Sequence, residues 1–289
     1  MPRKLIRTSV FPDGEFPLEC RRIDNHGATG IHRHDFYELV VILAGCGRHI
    51  TDREEYTLEA GDVFLLRGDM AHGYADTEHM TLVNILFDPD RLALPMRLLR
   101  DLPGYHALFR IEPRLRTYDR LRSRLRLQAE ELAEVAGMIG RLQHELTRKA
   151  PGYRFQACAH LMHLLGFVSR CYSHPDRNME RPFLRLGEVL SYIELHYREP
   201  ITVAQLTRMA HMSESSLMRQ FHRVLSRSPI EHVIRVRILK AAEQLQRGDA
   251  RVSEAALACG FTDSNYFSRQ FRRIMGTSPR EYRARGKRE

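Results

Sequence analysis

One helix-turn-helix pattern occurs twice in the last third of this chain, about 50 residues apart. Residues 219–224 (RQFHRV) return as residues 269–274 (RQFRRI), and each copy continues into a Ser-Pro-x-Glu sequence. Self-similarity of this kind is typical of a duplicated supersecondary unit. The repeat therefore predicts an all-α C-terminal domain with two helix-turn-helix units, at about 202–225 and 251–275.

Each copy carries the signals of two short helices. Thr202 and Gln205 fit a capping box that opens the first helix of copy one, and Ser213 can cap its second helix. In copy two, Gly260 lies in the turn and Thr262 is the expected cap. Helical spacing predicts that Leu217, Phe221, Val224, Phe267, Phe271 and Ile274 face inward.

A connecting helix is predicted between the two copies. It begins at Ser228 and Pro229 with Glu231 completing a capping box, and Gly248 ends it. Its expected buried side consists of Val233, Ile234, Ile238, Ala241, Ala242 and Leu245. About sixteen residues at roughly 1.5 Å each give a strut of about 24 Å. If the two second helices lie about one DNA turn apart (~34 Å), one chain can enter two successive major-groove segments.

The positive charge of the chain is concentrated where the repeat lies. The net charge is +9; residues 183–289 hold 19 Lys and Arg against 11 Asp and Glu, whereas residues 1–182 are almost balanced. A basic domain beside a near-neutral one is the electrostatic footprint of phosphate-backbone binding. A solvated basic face is the alternative, and the repeat with its caps favours double-stranded DNA.

The exposed faces of the two second helices supply the candidate DNA contacts. Residues near the start of such a helix reach base edges, and arginine can pair bidentately with guanine. The predicted base-reading residues are Ser215, Met218, Arg219, Ser264, Asn265, Ser268 and Arg269. The predicted backbone contacts are His222, Arg223, Arg272 and Arg273.

This region closely resembles the AraC/XylS family of bacterial transcription regulators. The residues that carry the resemblance are 256–271 (ALACGFTDSNYFSRQF) and 276–283 (GTSPREYR), and the similarity extends over about 184–284. Copy one departs from the family pattern at His211, where a small turn residue is common. The resemblance implies two helix-turn-helix modules joined by a helix, and RNA polymerase as a partner.

The N-terminal third reads as short strands separated by Gly and Asp turns, which predicts an all-β barrel or sandwich. His32, His34, Glu38 and His72 have the order of a cupin metal site, and nitrogen and oxygen ligands suit a divalent cation. Metal-free sensing is the favoured interpretation, so no cofactor is required. The expected effector pocket contains His32, His34, Tyr37, Glu38, His72 and Tyr74.

Residues 32–40, 82–87 and 89–92 resemble the sugar-sensing domain of the rhamnose-responsive activators in the same family. This resemblance implies a cupin-like pocket for a small sugar or sugar-like effector, a helical dimer contact and activation of sugar genes.

Apolar residues at three-four spacing predict helices in the middle of the chain. One series runs from Leu121 through Leu125 to Leu146, and a second from Phe155 to Tyr172. These helices could pair with a second subunit, which we favour, or serve only as a lid and core. Pro175 to Pro182 is polar and bounded by prolines, which is typical of a linker.

The fold class is therefore α+β and multidomain. We expect a cupin-like β-barrel sensor (1–115), a helical hairpin with a dimer contact (116–174), a linker (175–183) and a DNA-binding domain (184–289). Five scattered cysteines and no apolar run of membrane-spanning length favour a cytoplasmic protein with no membrane partner.

We expect a homodimeric activator rather than an enzyme, because no catalytic constellation stands out. The alternatives are a cupin-type metalloenzyme with a basic accessory domain and a constitutive architectural DNA binder.

Overall fold

The computed structural model describes residues 3–4, 10–11, 14–52, 54–67, 70–115, 125–174, 182–248 and 250–286. The chain divides into two compact units, Met1–Gly187 and Glu188–Glu289. The division falls inside a helix, Pro182–His196, a few residues after the predicted boundary. Most of the predicted linker, 175–181, lies outside the described residues.

The first unit is built on one eight-stranded sheet. Its strands are β1 Arg3–Lys4, β2 Leu18–Ile23, β3 Thr29–Arg33, β4 Tyr37–Thr51, β5 Glu55–Glu59, β6 Asp62–Leu66, β7 His72–Phe87 and β8 Leu125–Arg126. The order is β1-β3-β7-β4-β6-β8, with β2 also paired to β7 and β5 to β4. Every pairing except β1 with β3 is antiparallel. The predicted sheet-rich N-terminal domain is confirmed.

The long strands β4 and β7 organise the core. Successive side chains of a strand point to opposite faces, so Glu38, Val40 and Ile42 share one face of β4. On that face Val40 and Ile42 join a buried cluster with Leu58, Phe64, Leu66, Tyr74, Met80 and Leu82. A bulge at Gly45, whose φ is +72°, lets β4 follow β7; a Cβ there would lie 2.3 Å from the carbonyl oxygen of His79.

Short helical segments follow the sheet. They are a 3-10 turn Met96–Leu99, α1 Pro103–Tyr105, a π-helical segment His106–Ile111 and α2 Glu112–Leu115. Two long helices then form a hairpin, α3 Ala129–Arg148 and α4 Tyr153–Ser173. The hairpin belongs to the same compact unit as the sheet.

The predicted start of the first long helix is wrong. Leu125 lies in β8 opposite Val63, and α3 begins only after Gln128, whose backbone N–H donates to the Glu131 carboxylate over 2.8 Å. Arg126 explains the strand, because its guanidinium binds Asp62 at 3.0 Å and so fixes β8 on β6. Leu121 lies outside the described residues.

The second unit contains seven helices within the described residues, counting the helix at the boundary. They are α5 Pro182–His196, α6 Val203–Ala210, α7 Glu214–Leu225, α8 Pro229–Arg247, α9 Val252–Ala258, α10 Ser264–Met275 and α11 Pro279–Gly286. The two Ser-Pro-x-Glu sequences start α8 and α11, as expected. Ser228 N–H donates to Glu231 at 2.8 Å, and Ser278 N–H donates to Glu281 at 3.0 Å.

In the part of the chain that the structure describes, no helix combines the length and the apolar character needed to cross a membrane.

Candidate DNA interface and effector-binding site

The first helix-turn-helix consists of α6 and α7. Thr202 Oγ1 accepts a hydrogen bond from the Gln205 backbone, but the Gln205 side chain binds Tyr192 at 2.6 Å, so the predicted capping box is only half formed. His211 ends α6 in the left-handed region with φ +51°. Ser213 caps α7, as predicted, and accepts from the Ser216 N–H. Leu217, Phe221, Val224 and Leu225 form its buried side.

The second helix-turn-helix consists of α9 and α10. The predicted cap Thr262 is wrong: Asp263 occupies that position and accepts from the N–H groups of Asn265 at 2.7 Å and Tyr266 at 3.1 Å. These two hydrogen bonds lower the pKa of Asp263, which keeps the cap ionised. Phe267 and Phe271 are buried as expected, whereas Ile274 is half-buried.

The two recognition helices, α7 and α10, repeat one pattern of exposure. Leu217 and Phe267 are buried, Met218 and Ser268 are half-buried, and Arg219 and Arg269 are exposed at the next position. Ser215, Ser264 and Asn265 lie exposed on the first turns, and His222, Arg223, Arg272 and Arg273 are exposed one turn beyond the arginines. Every predicted DNA contact is therefore accessible at least in part. The two recognition helices therefore present side chains to solvent at equivalent positions.

A concavity of about 960 Å³ surrounds the start of α10. Ser264, Asn265, Ser268, Arg269 and Arg272 line it, together with residues at the starts of α9 and α11. Arg251, Ser253, Arg280 and Arg283 were not identified from the sequence. Arg251 and Arg280 could have been found from the caps, because each lies beside a helix start, where backbone N–H groups bind anions. The lining described by the structure contains five arginines and no carboxylate.

The connecting helix α8 holds the second recognition unit through buried contacts. It spans 19 residues, three more than expected, and ends at Gly248 with φ +79° as predicted. Val233, Ile238, Ala241, Ala242 and Leu245 are buried as expected, Pro229, His232 and Val236 are buried in addition, and Ile234 is half-buried. At roughly 1.5 Å per residue its length is about 28 Å.

The β-domain contains a compact polar group, His34, Glu38 and His72, here called the interior site. One ligand atom from each lies within 4.8 Å of the others, and all three residues are buried. His34 Nε2 is 2.7 Å from Glu38 Oε2, and His72 Nε2 is 3.7 Å from the same oxygen. His34 follows β3, Glu38 is the second residue of β4 and His72 opens β7, so three adjacent strands build the site.

The other three predicted pocket residues lie in three different places. His32 is half-buried and its ring lies 4.4 Å from that of His72, next to the interior site. Tyr74 lies deeper, in the core cluster, 5.2 Å from the ring of His49 and 4.8 Å from that of His26. Tyr37 is on the opposite face of β4 from Glu38, beside Arg67 and Phe87, so the expectation that it joins the pocket is wrong.

Two buried histidines of this region, His26 and His49, were missed from the sequence. His49 lies opposite Tyr74 in the β4–β7 register, and its ring is 5.8 Å from that of His72. Simple alternation from Glu38 would place His49 on the other face of β4, and it faces inward only because the bulge before it changes which residues do so.

Comparison with known proteins agrees with both halves of the structure. Residues 206–285 match a helix-turn-helix domain, and residues 18–165 match the AraC-like ligand binding domain. The chain belongs to the AraC family.

Relatives of this AraC-family protein align over nearly its whole length. The transcriptional activator RhaS of Enterobacter sp. is 30% identical over 96% of both chains, and RhaS of Escherichia fergusonii is 29% identical over 97% of this chain and 96% of its own. The DNA-binding domain of AdpA, solved with a target DNA, is 34% identical over 35% of this chain and 90% of its own, with a TM-score of 0.33. The relatives are transcription regulators, so the AraC-family protein is a regulator and not an enzyme, and the metalloenzyme alternative is set aside.

Electrostatics in the interior site of the AraC-family protein favour an ionised Glu38 carboxylate beside a neutral His72 ring. Burial raises the pKa of Glu38, but the hydrogen bond with His34 and the charges of His72, His34 and His32 outweigh it and lower the pKa overall. Burial lowers the pKa of His72 to about 4, although Glu38 opposes the shift. At neutral pH the ring of His72 is therefore uncharged and can accept a hydrogen bond or bind a cation.

The interior site of the AraC-family protein fits a divalent cation chemically. The Nδ1 atoms of His34 and His72 lie 3.0 and 3.2 Å from the carbonyl oxygens of Phe36 and Met70. A carbonyl can only accept, so Nδ1 of each ring donates; Nε2 of the neutral His72 ring then presents a lone pair, while Nε2 of His34 lies 2.7 Å from the Glu38 carboxylate. A hydrogen bond from the other ring nitrogen to a backbone carbonyl is usual for metal-binding histidines. Two imidazole nitrogens and one carboxylate oxygen suit zinc and related transition metals.

Proposed function

We propose that the protein is a transcriptional activator that binds double-stranded DNA through both helix-turn-helix units and responds to a small sugar or sugar-like effector in its β-domain. The observation that carries the proposal is the matched exposure of Arg219 and Arg269 on two equivalent helices. The name of the full-length relatives, transcriptional activator RhaS, supports activation, and the resemblance of residues 32–40, 82–87 and 89–92 to sugar-sensing domains supports a sugar response. RNA polymerase is then a partner and the cytoplasm the site of action.

The two recognition helices divide the work between bases and phosphates. Arg219 and Arg269 donate to guanine edges, each in its own segment of major groove, with Ser215, Met218, Ser264, Asn265 and Ser268 beside them. His222, Arg223, Arg272 and Arg273 bind backbone phosphates on either side. The arginine-lined concavity at α10 supports this division, because Arg251, Arg280 and Arg283 extend the same positive surface around the helix.

The effector occupies the β-domain beside the interior site. Sugar hydroxyl groups both donate and accept, so they match an ionised carboxylate next to the neutral ring of His72. His32 is placed to complete the contact, because it is half-buried and its ring adjoins His72. Tyr74 packs against the deeper wall. Tyr37 has no part in this pocket.

A divalent cation at His34, Glu38 and His72 is the second candidate for this site. Because His34 Nδ1 already donates to Phe36, a 2.7 Å contact between its Nε2 and Glu38 requires a shared proton or a cation beside both atoms. Metal analysis of protein purified without chelators, and again after dialysis against zinc, separates the two. About one zinc per chain that His72→Gln abolishes supports the cation. The absence of bound metal in both samples supports metal-free sensing.

The α3–α4 hairpin provides the contact for a homodimer. Phe155 is 77% exposed and Met162 is 38% exposed, two turns apart on one face of α4. Large apolar side chains in one exposed stripe are typical of a subunit contact. Dimers present two copies of the DNA-binding unit, and the effector changes the balance between arrangements by its differential affinity for them.

Thermal denaturation of the full chain against a panel of neutral sugars tests the sensor. A ligand that binds only the folded state raises the melting temperature by mass action. We expect at least one sugar to do so, to lose this effect in Glu38→Gln, and to increase transcription from a reporter that carries a selected DNA site. Reporter output that no stabilising sugar changes would contradict control by the effector, while leaving DNA binding intact.

A further inference from the structure

A second cleft lies on the other side of β4 from the interior site. Its volume is about 530 Å³, and it opens between the sheet and the segment that runs from Pro89 to Arg110. We call it the arginine cleft and define it by Tyr37, Arg67, Arg97, Arg100, Tyr105 and Arg110. Tyr37 and Glu38 are consecutive in β4, so the two sites face away from each other across one strand.

The charge of the arginine cleft is strongly one-sided. Four guanidinium groups line it, and Asp90 supplies the sole carboxylate among the described lining residues. The positive charges also contribute to lowered pKa values of neighbouring basic groups. Burial and then the charge of Arg110 lower the pKa of His106 to about 3, and burial and then Arg67 lower the pKa of Arg114. An anion entering the cleft would therefore be attracted electrostatically.

Aromatic rings form one wall of the arginine cleft. Tyr105 and Phe109 are stacked, with ring centroids 5.4 Å apart and an angle of 24° between the planes. The Arg67 guanidinium lies 5.1 Å from the Tyr37 ring and donates to the Phe109 carbonyl at 3.4 Å, which fixes its position. Phe109 and Arg110 belong to the π-helical segment, and such segments are frequent at functional sites.

These observations point to a small ligand rather than to a macromolecular surface. Volumes of about 300–1,000 Å³ are typical of pockets for small molecules. Planar guanidinium groups bind carboxylate and phosphate oxygens bidentately. We propose that the arginine cleft binds a small organic anion, with its carboxylate or phosphate held by Arg67 and Arg97 and its ring packed on the aromatic wall.

An anion in this cleft has a structural route to the helical hairpin. The π-helical segment continues from α1, where the Gly104 N–H donates to Ser173 Oγ at 2.8 Å in the last turn of α4. A Cβ at Gly104 would lie 2.0 Å from the Ser169 carbonyl oxygen, so α1 and α4 are in direct backbone contact. Because α1 contacts the last turn of α4, an anion that orders the π-helical segment would also restrain the end of α4.

Calorimetric titration of the full chain at constant ionic strength tests the proposal. The probes are inorganic phosphate, glucose 6-phosphate and galacturonate, with glucose and galactose as neutral partners of the last two. We expect at least one anionic sugar to bind at least tenfold more tightly than its neutral partner. Glucose 6-phosphate and galacturonate distinguish a phosphate from a carboxylate requirement.

Arg97→Ala is the principal variant, because Arg97 is exposed on a 3-10 turn and its loss leaves the core untouched. We expect Arg97→Ala to weaken anion binding at least tenfold, and Arg67→Ala to weaken it as well. Arg141→Ala, an exposed arginine on α3, is the matched control and should bind as the unmodified chain does.

Glu38→Gln separates this proposal from the interior site, since anion binding should survive it while the response to neutral sugar is lost. No binding of any anionic probe, or equal binding by the Arg97→Ala variant, would overturn the arginine cleft without affecting the proposed sugar response.

Discussion

The guanidinium of Arg237, in the middle of α8, donates a hydrogen bond of 2.9 Å to the carbonyl oxygen of Gly260 in the turn of the second helix-turn-helix. Its other nitrogens donate to the carbonyl oxygens of Tyr197 at 2.6 Å and Glu199 at 2.8 Å. One side chain thus joins the connecting helix, the segment that follows α5 and the turn before α10. That turn directly precedes α10, the helix that carries Arg269.

Replacing Arg237 by Ala should destabilise the C-terminal unit by about 3 kcal/mol, because three carbonyl groups lose a charged donor. Urea unfolding of the full chain, followed by far-UV circular dichroism, measures the loss. Arg247→Ala, at the exposed end of the same helix, should change stability by about 0.5 kcal/mol or less. Equal effects of the two substitutions would show that the hydrogen bonds of Arg237 contribute nothing particular.

Gly260 and Gly276 both have left-handed backbone conformations but differ in their surroundings, so replacing each by Ala separates the cost of the backbone conformation from that of steric overlap. Their φ angles are +83° and +76°, but a Cβ at Gly260 would lie 2.6 Å from the Arg198 carbonyl oxygen, whereas Gly276 has no neighbour within 4 Å. We expect Gly276→Ala to cost about 1 kcal/mol for the backbone conformation alone.

Gly260→Ala should cost about 3 kcal/mol, because the backbone must also move to relieve the overlap. The same urea titration compares them. Equal losses would mean that the close approach to Arg198 has no energetic consequence.

Local signals in the sequence were sufficient for the C-terminal unit. Helix caps, the apolar face of each helix and the repeat all involve residues within a few positions of one another, and so α8 and the exposure of Arg269 follow from the chain alone. The errors there are local as well: Asp263 caps α10 instead of Thr262 because both can cap and lie side by side.

The β-domain was harder to predict because its contacts are distant in sequence. Leu125 fits a helical series, yet pairing with Val63 places it in a strand. The sequence predicts Tyr37 in the same pocket as Glu38, but neighbours in a strand face opposite ways. The arginine cleft joins residues from Tyr37 to Arg110, and no spacing rule connects them.

His106 makes the first unit sensitive to acid. Its folded pKa is about 3, lowered by burial and by Arg110, whereas an unfolded histidine has a pKa near 6.5. Stability from the neutral ring is complete above about pH 6.5 and is lost as pH falls toward 3, because the unfolded chain binds the proton first.

His106→Gln should remove the part of the unfolding free energy that depends on pH through this histidine. The difference in unfolding free energy between the two chains should shrink by a few kcal/mol between pH 7 and pH 4, at about 1.4 kcal/mol per pKa unit. Urea unfolding at successive pH values measures it. A constant difference over that range would contradict a neutral buried ring.

Phe155→Arg should weaken the proposed dimer at least tenfold, because it places a charge in the apolar stripe of α4. Sedimentation equilibrium of the full chain measures the dissociation constant. Leu257→Arg is the control, since Leu257 is an equally large apolar residue, 71% exposed, on α9 of the other compact unit. A monomeric unmodified chain, or equal weakening by both variants, would contradict a dimer contact at Phe155.

Selection of binding sites from a random DNA library by the full chain tests the central claim, that two equivalent recognition helices read one duplex. We expect enriched sequences with two blocks about one helical turn apart, roughly 10 base pairs. Arg219→Ala should erase the base preference of one block and Arg269→Ala that of the other, while Arg272→Ala should leave both blocks and lower affinity for all sequences alike. Enrichment of a single block, or both blocks unchanged in either arginine variant, would contradict the account.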